Sequence, residues 1–132
     1  METLEIVWRR LVSDGKTCKR CEDTEDQLYL AVSKLRGMVL HLNTEVVIQK
    51  EEISEDEFGR NPLLSNQILI NGKPLEEWVE GKTGASQCCD VCGDNDCRTV
   101  SVDGNEYETI PSELIVKAGL TAALSMQSLN VK

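Results

Sequence analysis

The chain has a single histidine, His41. A His–Cys catalytic dyad would rest on that residue alone, and its place late in a long helix reads as a solvated or dipole-paired side chain. Aromatic residues make up only 4% of the chain, so the core is expected to be Leu, Ile and Val. Positive charge is also short: 14 Lys and Arg stand against 23 Asp and Glu, a formal net charge of -9. Such a surface repels polyanions, which argues against nucleic acid and against an anionic membrane as partners. No apolar run approaches a membrane span, and Met1-Glu2-Thr3 carries no basic leader. The expected compartment is the cytosol. No phosphate-binding loop, dinucleotide fingerprint or paired catalytic carboxylates occur, nor any internal repeat or low-complexity run.

Cysteine is what the chain does have: six, in two tight groups. At 132 residues one domain, 1–132, can form an ordinary core, so disulfide staples are not needed for folding. In a cytosolic protein such clusters point to redox chemistry or metal binding rather than to structural disulfides. The first group is Thr17-Cys18-Lys19-Arg20-Cys21. It follows an expected strand, Leu4 to Val12, and the loop Ser13 to Lys16, which is expected to deliver Cys18 and Cys21 to the edge of the sheet, exposed enough to meet a partner, and it precedes a strongly amphipathic helix. Strand, C-x-x-C, helix is the beginning of a dithiol redox site of thioredoxin type.

The rest of the chain orders itself around that start. In the first strand Leu4, Ile6 and Trp8 share one face, and Val7 and Leu11 lie on the other, which suits an inner strand covered by helices on both sides. Thr24 and Gln27 have capping-box spacing, so the helix is expected to begin at Thr24 and to run through Leu28, Ala31, Val32, Leu35, Met38, Val39 and Leu42. Thr44 to Lys50 is a second strand, expected parallel to the first because a long helix separates them. Ser54-Glu55-Asp56-Glu57 opens a short helix that Asn61-Pro62 ends. Gln67 to Ile70 is a third strand, Asn71-Gly72 a tight turn, and Pro74 to Trp78 one helical turn. Gly81 to Asp96 reads as irregular. Arg98 to Val102 and Glu106 to Ile110 flank Asp103-Gly104-Asn105 as a hairpin. Ser112 is expected to cap a last helix, with Ser125 to Lys132 frayed. Trp8 and Trp78 read as core, and Glu51 to Glu57 as a solvated acidic face. The order implies an α/β fold with a small mixed central sheet flanked by helices and a Cys-rich insert, about 81–97, before the C-terminal hairpin and helix.

Element order and C-x-x-C resemble the thioredoxin-like superfamily. The whole chain is similar to an uncharacterised thioredoxin-like family, a domain of unknown function found in bacteria and archaea. The resemblance is carried by Thr17 to Cys21, Ser65-Asn66-Gln67-Ile68-Leu69-Ile70-Asn71-Gly72, Cys88-Cys89-Asp90-Val91-Cys92-Gly93-Asp94, and Pro111 to Leu120. It implies Cys18 as attacking thiolate and Cys21 as resolving thiol, with a redox partner protein or a thiol or disulfide substrate. It also implies a cis-proline just before the third strand, facing the dithiol. The aligned residue here is Asn66, and Pro62, Pro74 and Pro111 do not fit. Loss of that proline weakens the case for a general disulfide reductase and opens Cys18 and Cys21 to metal.

The local field at the dithiol is mixed: Lys16, Lys19 and Arg20 favour a thiolate, Glu22 and Asp23 oppose it. The second group, Cys88, Cys89, Cys92 and Cys97, gathers four sulfurs within ten residues. Cys89 and Cys92 have the short spacing that lets two thiolates meet one ion, and Gly93 permits the sharp turn. Thiolates suit zinc, Cu(I) or an iron–sulfur cluster. A closed site would use Cys89, Cys92 and Cys97 with Cys88 or a thiol of the first group. A second dithiol exchanging with Cys18 and Cys21, or a disulfide-pinned loop, are the other readings. The expected function is thiol–disulfide exchange, with a thiolate metal module for structure, sensing or metal delivery as the alternative.

Overall fold

The structure, a computed structural model, describes residues 2–12, 19–87 and 96–130, with side chains for 2–12, 21–86 and 98–127. Among these residues it is a mixed α/β protein with two sheets and four α-helices.

The first sheet has the order β2-β1-β3-β4. Its centre is β1 (Glu2–Leu11), which pairs in parallel with β2 (Thr44–Ile53), Leu4 opposite Val46 and Ile6 opposite Ile48. The long helix α1 (Lys19–Val39) connects them, as the crossover of a parallel pair requires. On the other side of β1 runs β3 (Gln67–Ile70), antiparallel, with Trp8 opposite Ile68. The two-residue strand β4 (Lys73–Pro74) completes the sheet. Asn71 and Gly72, at φ 51° and 81°, make the β3–β4 turn with two left-handed residues, a conformation Asn and Gly adopt at little cost.

Leu4, Ile6 and Trp8 project to one face of β1 and are wholly buried. Over that face α1 packs beside α4 (Ser112–Asn130). The two helices approach so closely at Gly119 that an added Cβ would stand 2.6 Å from Leu35 Cδ1. Helices do not cover both faces of the strand, as its apolar residues suggested. On the other face Glu5 is exposed, and half-buried Arg9 reaches across to Glu51 Oε1 and Gln67 Oε1, both at 2.8 Å. Val7 is buried on that face as well, and at its end Leu11 and Ile53 are buried with Phe58 of α2 (Glu55–Arg60). The α2 cap is the expected one: Ser54 Oγ accepts from the Glu57 N–H, and the Glu57 carboxylate accepts from the Ser54 N–H. A 3-10 turn, η2 (Pro62–Leu64), leads into β3.

Three sequence expectations change. First, α1 begins at Lys19, five residues before Thr24. Thr24 and Gln27 do not cap their own helix. They reach across to the far end of the chain: Thr24 Oγ1 accepts the Ile110 N–H at 3.2 Å, and Gln27 Oε1 accepts the Ser112 N–H at 2.9 Å. Second, the stretch read as irregular contains β5 (Lys82–Gln87), antiparallel to β6 (Asp96–Val102). With β7 (Asn105–Tyr107) these form a separate sheet, β5-β6-β7, rather than an extension of the first. Third, α4 continues through Ser125 to Asn130. Gln127 Nε2 donates to Leu42 O and Asn71 Nδ2 to Met126 Sδ, contacts that hold its last turns.

A buried ion pair joins the two sheets. Arg98 of β6 pairs with Glu76 of α3 (Leu75–Trp78), their side chains 6% and 3% exposed. Thr83 of β5 donates to the same Glu76 oxygen at 2.6 Å. Arg98 also donates to the carbonyl of Leu63 in η2 at 2.6 Å. Trp8 is core, as expected, whereas Trp78 is half-buried and donates to Ile70 O at 2.9 Å. His41 is exposed. No helix of the described residues is long and apolar enough to cross a membrane.

Candidate functional site

Cys21 lies in the first turn of α1 and is wholly buried, not exposed at the sheet edge as expected, because it falls on the face of the helix that packs on the core. The earlier helix start brings it inside the turn where unpaired backbone N–H groups favour an anion, a position that a start at Thr24 would have denied it. Its burial follows from the helix period: Cys21, Thr24, Leu28, Val32 and Leu35 recur on the face turned to the sheet, and all are buried. Against Cys21 Sγ lies Ser65 Oγ, 3.6 Å away and equally buried. Ser65 ends η2, and its hydroxyl oxygen also accepts the Leu11 N–H of β1 at 3.4 Å.

Asn66 stands beside it, where the resemblance places a cis-proline. Its φ is 62°, a left-handed conformation that Asn tolerates better than most residues. Three hydrogen bonds hold it. Its N–H donates to Arg9 O at 2.8 Å, its Oδ1 accepts Trp8 Nε1–H at 3.1 Å, and its Nδ2 donates to Glu108 O at 3.4 Å. Ser65 and Asn66 thus occupy the turn before β3, and Ser65 faces the cysteine. The resemblance singles out Asn66 as the residue aligned with the cis-proline; Ser65 has no such mark, and its only local signal is a small polar residue close before an apolar strand.

Charged side chains lie near the site. Glu25, one helical turn beyond Cys21, receives Lys50 Nζ at 3.0 Å and lies 3.9 Å from Arg10. Hydrogen bonds to Tyr29 and Glu25 hold the Lys50 ammonium above its ordinary value. Bordering Leu64, next to Ser65, is an open groove of about 480 Å³ lined by Arg9, Glu51, Glu52, Ile53, Glu57 and Leu64.

Of the cysteines expected to act, Cys18, Cys88, Cys89 and Cys92 lie outside the described residues. Cys97 is on β6 opposite Ser86, its side chain also outside them. Gln87 pairs with Asp96, so the end of β5, which precedes Cys88 in sequence, lies beside the start of β6, one residue before Cys97. Through Arg98 and the Leu63 carbonyl, β6 is fastened two residues before Ser65. Among the described residues no group of three or more His, Cys, Asp or Glu side chains could hold a metal ion.

Fold and site together define a mixed α/β protein that carries a buried cysteine at the head of its crossover helix, opposed by a serine. The chain belongs to the family described as Domain of unknown function (DUF2703), which it matches over residues 4–119. It is also 40% identical, over 112 residues covering 85% of this chain and 82% of the relative, to an uncharacterized protein of Archaeoglobus fulgidus. No solved structure matches significantly.

Proposed function

We propose that the protein is a cytosolic thioredoxin-like thiol–disulfide oxidoreductase acting on a partner protein or small disulfide. Cys18 attacks and Cys21 resolves. The observation that carries this reading is the placement of Cys21 in the first turn of α1, directly after the central strand and against the turn that precedes β3. That turn is where the resemblance sets the residue facing the dithiol. Burial of Cys21 suits a resolving thiol, which has only to meet a sulfur three residues away in its own chain. Attack by the Cys18 thiolate breaks the partner disulfide and forms a mixed disulfide. Cys21 then displaces the partner, closing a Cys18–Cys21 disulfide, and two electrons pass to the partner. Replacing Cys18 with Ser should abolish reduction of a disulfide such as oxidised glutathione by the reduced chain; undiminished reduction would refute the assignment.

A second reading has its own support. The Gln87–Asp96 pairing brings together the residues on either side of 88–95, the stretch of sequence that contains Cys88, Cys89 and Cys92, with Cys97 next after Asp96. Such proximity favours a thiolate site for zinc or an iron–sulfur cluster there. Elemental analysis and visible absorbance of untagged protein, prepared with and without oxygen, test it; absence of stoichiometric metal from both preparations removes it.

A further inference from the structure

We infer that Ser65 is a positioning residue for the resolving step, its hydroxyl donating to the Cys21 sulfur as that sulfur becomes a thiolate. The inference rests on the thiol-exchange reading above.

The geometry leaves the Ser65 hydroxyl able to donate, and a thiolate, which has no proton of its own, can only accept. Ser65 Oγ accepts the Leu11 N–H at 3.4 Å, which uses a lone pair on the side toward β1. The hydroxyl proton can then turn to Cys21 Sγ at 3.6 Å. Both side chains are wholly buried, so a thiolate formed there has protein groups rather than water to solvate it. The serine does not have to be recruited. Its neighbour Asn66 is tied to β1 through Arg9 O and Trp8 Nε1, and Ser65 N–H itself donates to Pro62 O at 3.2 Å. The donor is therefore in place before the charge appears, which is the condition under which a hydrogen bond lowers a barrier instead of reorganising with it.

The role is confined to one step. After Cys18 has formed its mixed disulfide and the first partner thiolate has left, the Cys21 thiol gives its proton to solvent base. Its thiolate attacks Cys18 Sγ, the new S–S bond forms, and the second partner thiolate departs and is protonated by solvent. Ser65 acts on Cys21 between proton loss and bond formation, and gives up no proton.

The test uses the full reduced chain with oxidised glutathione. Samples are acid-quenched, alkylated and digested with trypsin. Cleavage after Lys19 and Arg20 puts Cys18 and Cys21 on separate peptides, so the glutathione adduct of Cys18 and the Cys18–Cys21 linkage are counted individually whatever the other cysteines do. In Ser65→Ala the Cys18 adduct should form at the wild-type rate but persist about ten- to a hundredfold longer, the range a hydrogen bond to a charged group commands. Ser65→Thr, which keeps the hydroxyl, should resolve within a few-fold of wild type. Ser65→Val, of the same shape without it, should not. Wild-type resolution in both Ala and Val variants overturns the inference while leaving the exchange reading intact. A wild-type chain that never forms the Cys18–Cys21 linkage refutes the exchange reading itself. If the hydroxyl-free variants fail to fold, resolution in the native chain is compared with that in urea, and a native rate no faster than the unfolded one also overturns the inference.

Discussion

Replacing Arg98 with Met would strand a carboxylate in the joint between the two sheets. Arg98 is the only cation that reaches Glu76 among the described residues. Among the described residues Glu76 Oε1 already has no hydrogen-bond partner, and Oε2 would keep only Thr83. The Leu63 carbonyl would lose its 2.6 Å donor as well. Removing one partner of a buried ion pair costs about 3–5 kcal/mol, because the other charge remains desolvated. Domains of this kind have about 5–15 kcal/mol of stability in all. The single change should therefore remove about a fifth of it or more and lower the melting midpoint by roughly 10–20 °C. The double variant Glu76→Met, Arg98→Met strands no charge and should be much closer to wild type, since a well-packed apolar pair often equals the ion pair it replaces. Urea unfolding of wild type, both singles and the double, followed by tryptophan fluorescence under reductant, measures the coupling. If Arg98→Met costs less than about 1 kcal/mol, or if the double is as unstable as the two singles summed, the buried pair does not hold the joint and the reasoning fails.

Two further outcomes test contacts around the site. Thr24→Val keeps the side-chain shape but leaves the buried Ile110 N–H without its acceptor, so it should cost about 1–3 kcal/mol in the same unfolding assay, whereas a helix cap placed outside α1 would make it nearly silent. Asn66→Pro should be worse, about 3 kcal/mol or more: proline fixes φ near −65° where Asn66 has 62°, and it deletes the N–H bonded to Arg9 O. A folded Asn66→Pro chain with wild-type melting would show that the turn before β3 accepts the superfamily's residue after all.

How much could be read beforehand depended on where each interaction closes. Ser54 and Glu57 bond to one another, so the spacing alone identified the α2 cap. Thr24 and Gln27 have the same spacing, but their acceptors serve backbone groups 86 and 85 residues away. Nothing in the local pattern distinguishes the two cases. The turns at Asn71-Gly72 and Asp103-Gly104 were legible because positive φ restricts the residue types on its own. β5 was not, because Lys82 to Gln87 has no apolar alternation and becomes a strand by pairing with β6. The Cys21 half of the candidate site followed from strand, C-x-x-C and helix. Ser65 and the Glu76–Arg98 pair did not, since burial and long-range partners gave them their meaning.

The segment from Pro62 to Asn66 is where these threads meet. From one side Arg98 grips the Leu63 carbonyl, and with it comes the sheet that carries Cys97. From the other side Leu11, Arg9 and Trp8 of the central strand grip Ser65 and Asn66. A turn held from both sides has few conformations left, and a hydroxyl mounted on it points where its supports send it. Proline would restrict such a turn through its own ring. Here restriction comes instead from three hydrogen bonds of Asn66, two to the central strand and one to the Glu108 carbonyl, an arrangement that leaves the adjacent residue free to be a donor aimed at sulfur. If that is the reason for asparagine, then loosening either support should disturb Cys21 chemistry before it unfolds the protein. Arg98→Met, assayed for the lifetime of the Cys18–glutathione adduct at temperatures well below its melting midpoint, should lengthen it in the same direction as Ser65→Ala and by less.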